Sequence, residues 1–438
     1  MRRLMLTILA LVCCTGTATA QMDHPSKVDL TFNKWYDYEE MTKALHDLAA
    51  AYPDLLTLES IGQSYGGLEI WLVTLNDKNT GPAESKTAMY IEGNIHGNEL
   101  QAMETVLYSI WYMTKSFGKI EWLTELMQER SFYFVPCSNP DGRMYWFEQA
   151  SDPNMLRGGI RPTDNDFDGL YDEDGPDDLD GDGHITTMWI RDPLGRYKQD
   201  EDDPRFFTRV GSDEKPGGWT RLGQEGIDND GDGSINEDGQ GGFDTNRNFP
   251  SDWQPEHIQY GATDYPLSAQ ECRVTAEFIM AHPNIAGVQS YHNTGGMVLY
   301  GPGASYQKYP SGDMRVMERM AQKGADMIPL YDALLSWRDL YSTHGDETSF
   351  TYEQEGIMSF VNELWSTKKM FADAERTGTE DTRMFRDMLQ FGDVYVPYKE
   401  FEHPRYGTIL IGGTTKHANR VAPVWAQEEE CHRNFAFT

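Results

Sequence analysis

Apolar positions recur along this chain with two periods, and the places where one gives way to the other locate its elements. Met41, Leu45 and Leu48, within Asp37 to Ala51, keep one helical face apolar. The strand-like runs Leu55 to Ile61 and Leu68 to Leu75 flank Tyr65-Gly66-Gly67, which predicts a hairpin. Thr87 to Ile91 reads as another strand. From Leu100 the apolar residues Leu100, Met103, Leu107, Ile110 and Trp111 return to a 3.6-residue period, so the residues between form a strand-to-helix turn. Phe132 to Val135 is a short strand leading into Ser138-Asn139-Pro140-Asp141-Gly142, which has the composition of a tight turn. Ser268 with Glu271 predicts a capping box opening a helix to Ala281, and Ile285 to Tyr291 and Ile357 to Val361 read as further strands. Such alternation predicts an α/β fold, a mixed central β-sheet flanked by helices on both faces, with its chemistry at strand ends.

The pattern lapses between residues 163 and 242, where periodic apolar positions are few and Asp-Gly pairs punctuate the chain. This stretch reads as an acidic, loop-rich insertion within a catalytic domain covering 30–390. Residues 391–438 form a C-terminal extension with a strand-like run at Thr408 to Ile411.

Composition adds limits. A chain of 438 residues with 39% hydrophobic and 12% aromatic content can bury one large core or two ordinary ones. Arg2 and Arg3, the apolar run Leu4 to Cys14 and Ala18-Thr19-Ala20 read as a secretory signal over residues 1–20, leaving Gln21 first and the protein secreted or periplasmic. The apolar run is too short to span a membrane, and no later segment reaches about 18 consecutive apolar residues. Val12 and Cys13, rather than a small residue, precede the candidate lipidation cysteines, so no stable membrane anchor is expected. Cys137, Cys272 and Cys431 remain after cleavage and allow at most one bridge, so disulfides do not hold this fold together. The net charge of −33 is concentrated: residues 164–243 hold 23 acidic side chains against 7 basic ones, which excludes nucleic acid as a partner.

His96-Gly97-Asn98-Glu99 occupies the strand-to-helix turn. A lone His-x-x-Glu is weak evidence, and the chain contains a second, His344-Gly345-Asp346-Glu347. Only the first lies between a strand and an amphipathic helix and has a third candidate ligand, His292, at a later strand end. Two imidazoles and one carboxylate form the ligand set of a catalytic zinc site with an open position. Glu363, just past another strand, Arg157 and the pair Asn246-Arg247 complete the set.

These residues carry a resemblance. Gly93-Asn94-Ile95-His96-Gly97-Asn98-Glu99, Asn139-Pro140-Asp141-Gly142, Met155-Leu156-Arg157, Asp244-Thr245-Asn246-Arg247-Asn248, Tyr291-His292 and Asn362-Glu363-Leu364 together resemble the zinc metallocarboxypeptidases similar to carboxypeptidase A, over roughly residues 30 to 390. The resemblance implies a carboxypeptidase-like fold of the phosphorylase/hydrolase type and Zn2+ held by His96, Glu99 and His292. It implies Arg157 as the carbonyl-polarising cation, Asn246 and Arg247 as the clamp on a terminal carboxylate, and Glu363 as general base. The mobile substrate tyrosine falls on Tyr341 and the side-chain selector near Thr348. The expected reaction is hydrolysis at the C-terminus of a peptide or protein. An amidase acting on cell-wall peptides or acylated amino acids would share every motif; a non-catalytic calcium-dependent binding module is the third class, against which the intact ligands and Glu363 argue.

Within the insertion, Asp164-x-Asp166-x-Asp168-Gly169, Asp178-x-Asp180-x-Asp182-Gly183 and Asp228-x-Asp230-x-Asp232-Gly233 place carboxylates at alternate positions before a glycine. Hard oxygen ligands at that spacing begin an EF-hand-type loop and point to Ca2+. The twelfth loop position, normally Glu, holds Gly175, Trp189 or Gly239, so Asp172 to Asp174 and Asn236 to Asp238 are the expected substitutes. Because the insertion leaves just after Arg157 and returns just before Asn246, its ends belong near a substrate cleft.

Overall fold

The computed structural model describes residues 24–151, 156–365, 378–414 and 426–435. The expected leader with its two cysteines, and Met155, lie outside these residues. Helix α1 (Tyr38–Ala51) opens on Asp37, whose carboxylate accepts the Glu40 N–H at 2.8 Å while the Glu40 side chain accepts the Asp37 N–H. This reciprocal box satisfies amides that the first helical turn leaves without partners. Strands β1 (Leu56–Gln63) and β2 (Glu69–Leu75) form the expected antiparallel hairpin, turned at Gly67, whose φ of 86° suits a residue without Cβ.

Next come β3 (Ala88–Gly93), α2 (Leu100–Ser116), α3 (Glu121–Glu129), β4 (Ser131–Val135) and α4 (Pro140–Glu148). After the insertion, with β5 (Thr187–Arg191), β6 (Tyr197–Gln199), β7 (Phe207–Arg209) and β8 (Trp219–Gln224), the main fold resumes with α5 (Gln270–Ala281), β9 (Ile285–Asn293) and β10 (Met297–Tyr300). It continues through α6 (Ser311–Met327), β11 (Asp332–Leu335), α7 (Glu347–Glu353) and β12 (Met358–Leu364). The chain then forms α8 (Gly378–Met388), β13 (Tyr395–His403), β14 (Gly407–Thr414) and α9 (Gln427–Phe435).

Eight strands make a mixed sheet in the order β1-β2-β4-β3-β9-β12-β10-β11, with β4, β3, β9 and β12 parallel at its centre. Strand alternation supplies both faces. Ile91, Phe132 and Phe134 pack with α1 and α2, whereas their neighbours Tyr90, Tyr133 and Val135 pack with Phe278 and Ile279 of α5. All 17 residues of α2 are buried, because β3 and β9 cover one side and α9 another. A helix enclosed in this way must satisfy its polar groups internally, as Thr105 Oγ1 does by donating to the Gln101 carbonyl at 3.0 Å.

Two sequence expectations are corrected. The residues expected to make a tight turn after β4 instead start α4: the Asn139 side chain accepts the Gly142 N–H at 2.9 Å and Pro140 occupies the first turn, where its missing N–H costs nothing. The capping box at Ser268 and Glu271 does not form. Helix α5 begins after Ala269, the Glu271 carboxylate accepts the Tyr65 N–H at 2.8 Å, and the Ser268 hydroxyl meets that of Thr263 at 2.6 Å. Tertiary partners outcompete the local ones.

The insertion and the C-terminal segment share one sheet. Strands β5 to β8 join the β13–β14 hairpin in a six-stranded sheet ordered β13-β14-β5-β8-β6-β7, paired antiparallel throughout. Met188, Ile409 and Ile411 form its small core, and Trp189 stacks on Phe207 at 4.1 Å. The strands are short and their partner hairpin lies far along the chain, so neither half shows the pattern alone. Helix α9 then returns to the main core through Cys431 and Phe435. Cys137, Cys272 and Cys431 are buried and unbridged. Among the described residues no helix is long and apolar enough to cross a membrane.

Candidate active site

The turn after β3 is shaped from behind. Asn94, at φ 60°, donates from Nδ2 to the His96 carbonyl at 2.7 Å, and its Oδ1 accepts from Arg143 Nη1 at 2.8 Å. Arg143, wholly buried in α4, also donates to the Leu100 carbonyl and to Glu104 at 2.7 Å. The Gly97 N–H donates to the Arg157 carbonyl at 2.9 Å. A Cβ on Gly97 would come within 2.4 Å of the Gly142 backbone, so this close approach requires glycine. The turn is thereby pinned to α4 and to the segment bearing Arg157.

His292 arrives on β9, and Glu363, its register partner, on the parallel neighbour β12. Both lie within their strands, which run two and three residues further than the sequence pattern suggested. His96 Nδ1 lies 3.0 Å from Glu99 Oε1, His292 Nδ1 3.0 Å from Glu99 Oε2, and the two Nδ1 atoms 3.1 Å apart. The far ring nitrogens are occupied: His96 Nε2 meets Asp244 Oδ1 at 2.9 Å, and His292 Nε2 meets Ser290 Oγ at 3.2 Å, which donates to Glu92 at 3.0 Å. With both Nε2 atoms acting as donors, two imidazole lone pairs and a carboxylate converge on one buried point. Donors bound about 2.0–2.1 Å from a tetrahedral metal would lie roughly 3.3 Å apart, so the set fits zinc with slight expansion. Ligand histidines held by outer carboxylate or hydroxyl partners are a regular feature of such sites.

Without an ion these groups act on one another as charges. Burial alone would raise the Glu99 carboxyl, yet His96 and His292 draw it well below its ordinary value. Burial works against the His292 charge, but Glu99 outweighs it and raises the imidazole. Burial, followed by the charge of Glu99, raises Glu363.

Arg157, about a third exposed at its side chain, donates from Nη1 to Glu99 at 3.0 Å and from Nε to Asp244 at 2.8 Å. Burial opposes its charge, but Asp244 and Glu99 raise its pKa, and Tyr341 contributes in the same direction. Tyr341 itself is 52% exposed, at the edge of the site. Asn246 Oδ1 accepts the Glu347 N–H at 2.9 Å, which leaves Nδ2 as the donor available to a ligand, and Arg247 lies beside it, anchored by Nη1 to the Asn246 carbonyl. Thr348 Oγ1 donates to Asp346, the residue that caps α7.

The second His-x-x-Glu separates. His344 pairs with Asp252 at 2.8 Å, whereas Glu347 is buried against Glu92, and burial together with that neighbour raises it well above the carboxylate range. Sequence reasoning missed four supports: Asp244, Ser290, Glu92 and Asn94. Asp244 and Asn94 lay within motifs already singled out, while nothing along the chain marks Ser290 or Glu92.

In the insertion, carboxylates gather as Asp164, Asp166 and Asp168 and as Asp178, Asp180 and Asp182, the latter neutralised in part by Lys399. Asp230 joins Asp168 and Glu173 in one set and Asp174 and Glu237 in another, while Asp228 and Asp232 bond backbone amides of their own loop. Burial and then like charges push Glu173 and Glu237 up to about 7.

Known proteins place this arrangement. The zinc carboxypeptidase family profile matches residues 41–183 and 195–385. A zinc carboxypeptidase of Saccharothrix mutabilis subsp. capreolus is 26% identical over 170 residues, 34% of this chain and 39% of that protein. Carboxypeptidase B of Astacus astacus is 31% identical over 118 residues, 27% of this chain and 37% of the crayfish protein. The matched stretch is thus about two fifths or less of these curated relatives. Carboxypeptidase A from Helicoverpa armigera shares the fold, with a TM-score of 0.52, 18% identity, and coverage of 83% of this chain and 73% of that one. The profile spans most of the chain and both sides of the site: this protein belongs to the zinc carboxypeptidase family.

Proposed function

We propose that this protein is a secreted zinc carboxypeptidase that removes C-terminal residues from peptides. The observation that carries the reading is the convergence of His96, Glu99 and His292 on one point, with Glu363 beside His292 in strand register. Zinc bound there would supply Lewis acidity and lower the pKa of water. Glu363 would accept the proton of the attacking water and return it to the departing amine, while Arg157 stabilises the negative charge developing on the carbonyl oxygen. Arg247 and Asn246 Nδ2 would hold the terminal carboxylate, a planar fork matched to a planar anion. The acidic insertion is read as a calcium-retaining lobe at the rim of the cleft, restricting access or favouring basic substrates.

The test is hydrolysis of an N-blocked dipeptide with a free C-terminus against the same dipeptide amidated. Rapid cleavage of the acid alone is expected. Equal cleavage of both would end the exopeptidase reading, and cleavage confined to cell-wall peptides or acylated amino acids would replace it with an amidase.

A further inference from the structure

The insertion contains one motif twice. Residues 164–175 and 228–239 agree at eight of twelve positions, as Asp-Asn-Asp-x-Asp-Gly-x-x-x-Glu-Asp-Gly. The two copies fold alike and face each other. Asp172 and Asn236, at the same motif position, both adopt left-handed backbone with φ 53° and 60°, and Asp174 bridges Asp238 antiparallel, again like with like. Each copy reaches into the other: Asp238 accepts the Asn165 N–H at 2.8 Å and the Asp172 N–H at 3.0 Å, and Asp174 accepts from Asn229 Nδ2 at 3.0 Å.

The carboxylates cross in the same manner. Asp168 and Glu173 of the first copy meet Asp230 of the second, and Asp230 and Glu237 of the second meet Asp174 of the first, each set with one ligand atom apiece within 4.8 Å. Asp174 and Asp238 are completely buried, and Asp174 Oδ2 has no hydrogen-bond partner; Oε2 of Glu173 and Oε2 of Glu237 are likewise inaccessible and unpartnered. An ionised oxygen enclosed without a donor is costly, and a hard cation is the partner that relieves it. Each copy lacks the Glu that closes an EF-hand loop at position twelve, and each crossed set instead takes one carboxylate from the opposite copy.

We infer that the two copies form a single interlocked site for a pair of hard divalent cations of calcium type, with Asp230 shared and Asp174 and Glu237 holding one ion between them. This rests on the calcium reading of the insertion and replaces one ion per loop with ions shared across copies. The site lies at the neck of the insertion, where the Thr163 hydroxyl accepts the Gly242 N–H at 3.3 Å, and Arg157 and Asp244 lie on the two strands of chain that pass through it. Filling it ties the insertion's exit to its return.

Native mass spectrometry of the zinc-loaded full chain, titrated with calcium, counts the ions. Asp174→Asn and Glu237→Gln should each lose one ion relative to wild type, and the double variant should also lose one, since both act on the same ion. Asp230→Asn should lose two. Circular dichroism and retained zinc confirm folding, and any variant that fails there is replaced by Glu173→Gln, which should lose one ion alone and no more than Asp230→Asn when combined with it. A double variant of Asp174 and Glu237 that loses two ions, or a Glu173→Gln/Asp230→Asn combination that loses three, overturns the crossed geometry and leaves the calcium reading standing. A wild-type chain that retains no calcium overturns both.

Discussion

Arg157 and Asp244 stand 87 positions apart, on opposite sides of the acidic insertion, yet Arg157 Nε donates to Asp244 Oδ2 at 2.8 Å. The other oxygen of the same carboxylate takes His96 Nε2 at 2.9 Å. One side chain therefore orients both the proposed metal ligand His96 and Arg157, the cation proposed for the carbonyl oxygen. Asp244→Asn keeps the shape and removes the charge. Zinc affinity is expected to fall about 10- to 100-fold, as for other outer partners of metal-bound histidines, with a parallel loss of kcat/KM. Competition with a zinc chelator measures the first and steady-state kinetics the second; unchanged affinity would assign Asp244 to Arg157 alone.

Glu363→Gln leaves the three proposed metal donors intact. Hydrolysis should drop by about 10²- to 10⁴-fold while zinc content stays at the wild-type level. Loss of zinc with loss of activity would mean that Glu363 supports the site rather than moving a proton.

For the clamp, Arg247→Ala removes a charged donor worth about 1.5–3 kcal/mol, so kcat/KM for free-acid substrates should fall about 10- to 100-fold. The slow residual cleavage of amidated substrates should be unaffected. A uniform loss on both would place Arg247 in the scaffold.

The acid limb of the pH profile follows from Glu363. Burial and Glu99 raise its carboxyl above the ordinary 4.5. A general base acts only when ionised, so activity is present above the shifted pKa and lost as pH falls through it. In the zinc-free protein the Glu363 carboxyl should therefore titrate above 4.5, and bound zinc should lower it; a carboxyl that titrates at or below 4 without metal would contradict its burial.

Arg143, which braces Asn94 behind the site, offers a stability test. It pairs with Glu104 at 2.7 Å with both side chains fully buried. Arg143→Met would strand the acid and cost about 3–5 kcal/mol, read from denaturant unfolding, whereas Arg143→Met with Glu104→Leu should recover much of the loss.

Much of this protein was legible one residue at a time. The hairpin, the strand before His96 and the helix after Glu99 follow from local period, because burial of one face imposes that period on the sequence. The identity of His96, Glu99, His292 and Glu363 as candidates followed from residue type at strand ends, and position decided which of two His-x-x-Glu pairs could share a ligand: His344 turned to Asp252, and Glu347 to Glu92. Tertiary structure alone decided the rest. The insertion's sheet needed β13 and β14, whose pairing no local pattern encodes, and Ser268 lost its capping role to a partner in space. Asp244, Ser290 and the crossed carboxylates of the two acidic copies acquire their roles only from neighbours remote in the chain. A side chain's period is written beside it in the sequence, but its hydrogen-bond and charge partners are fixed only when the chain has closed around it.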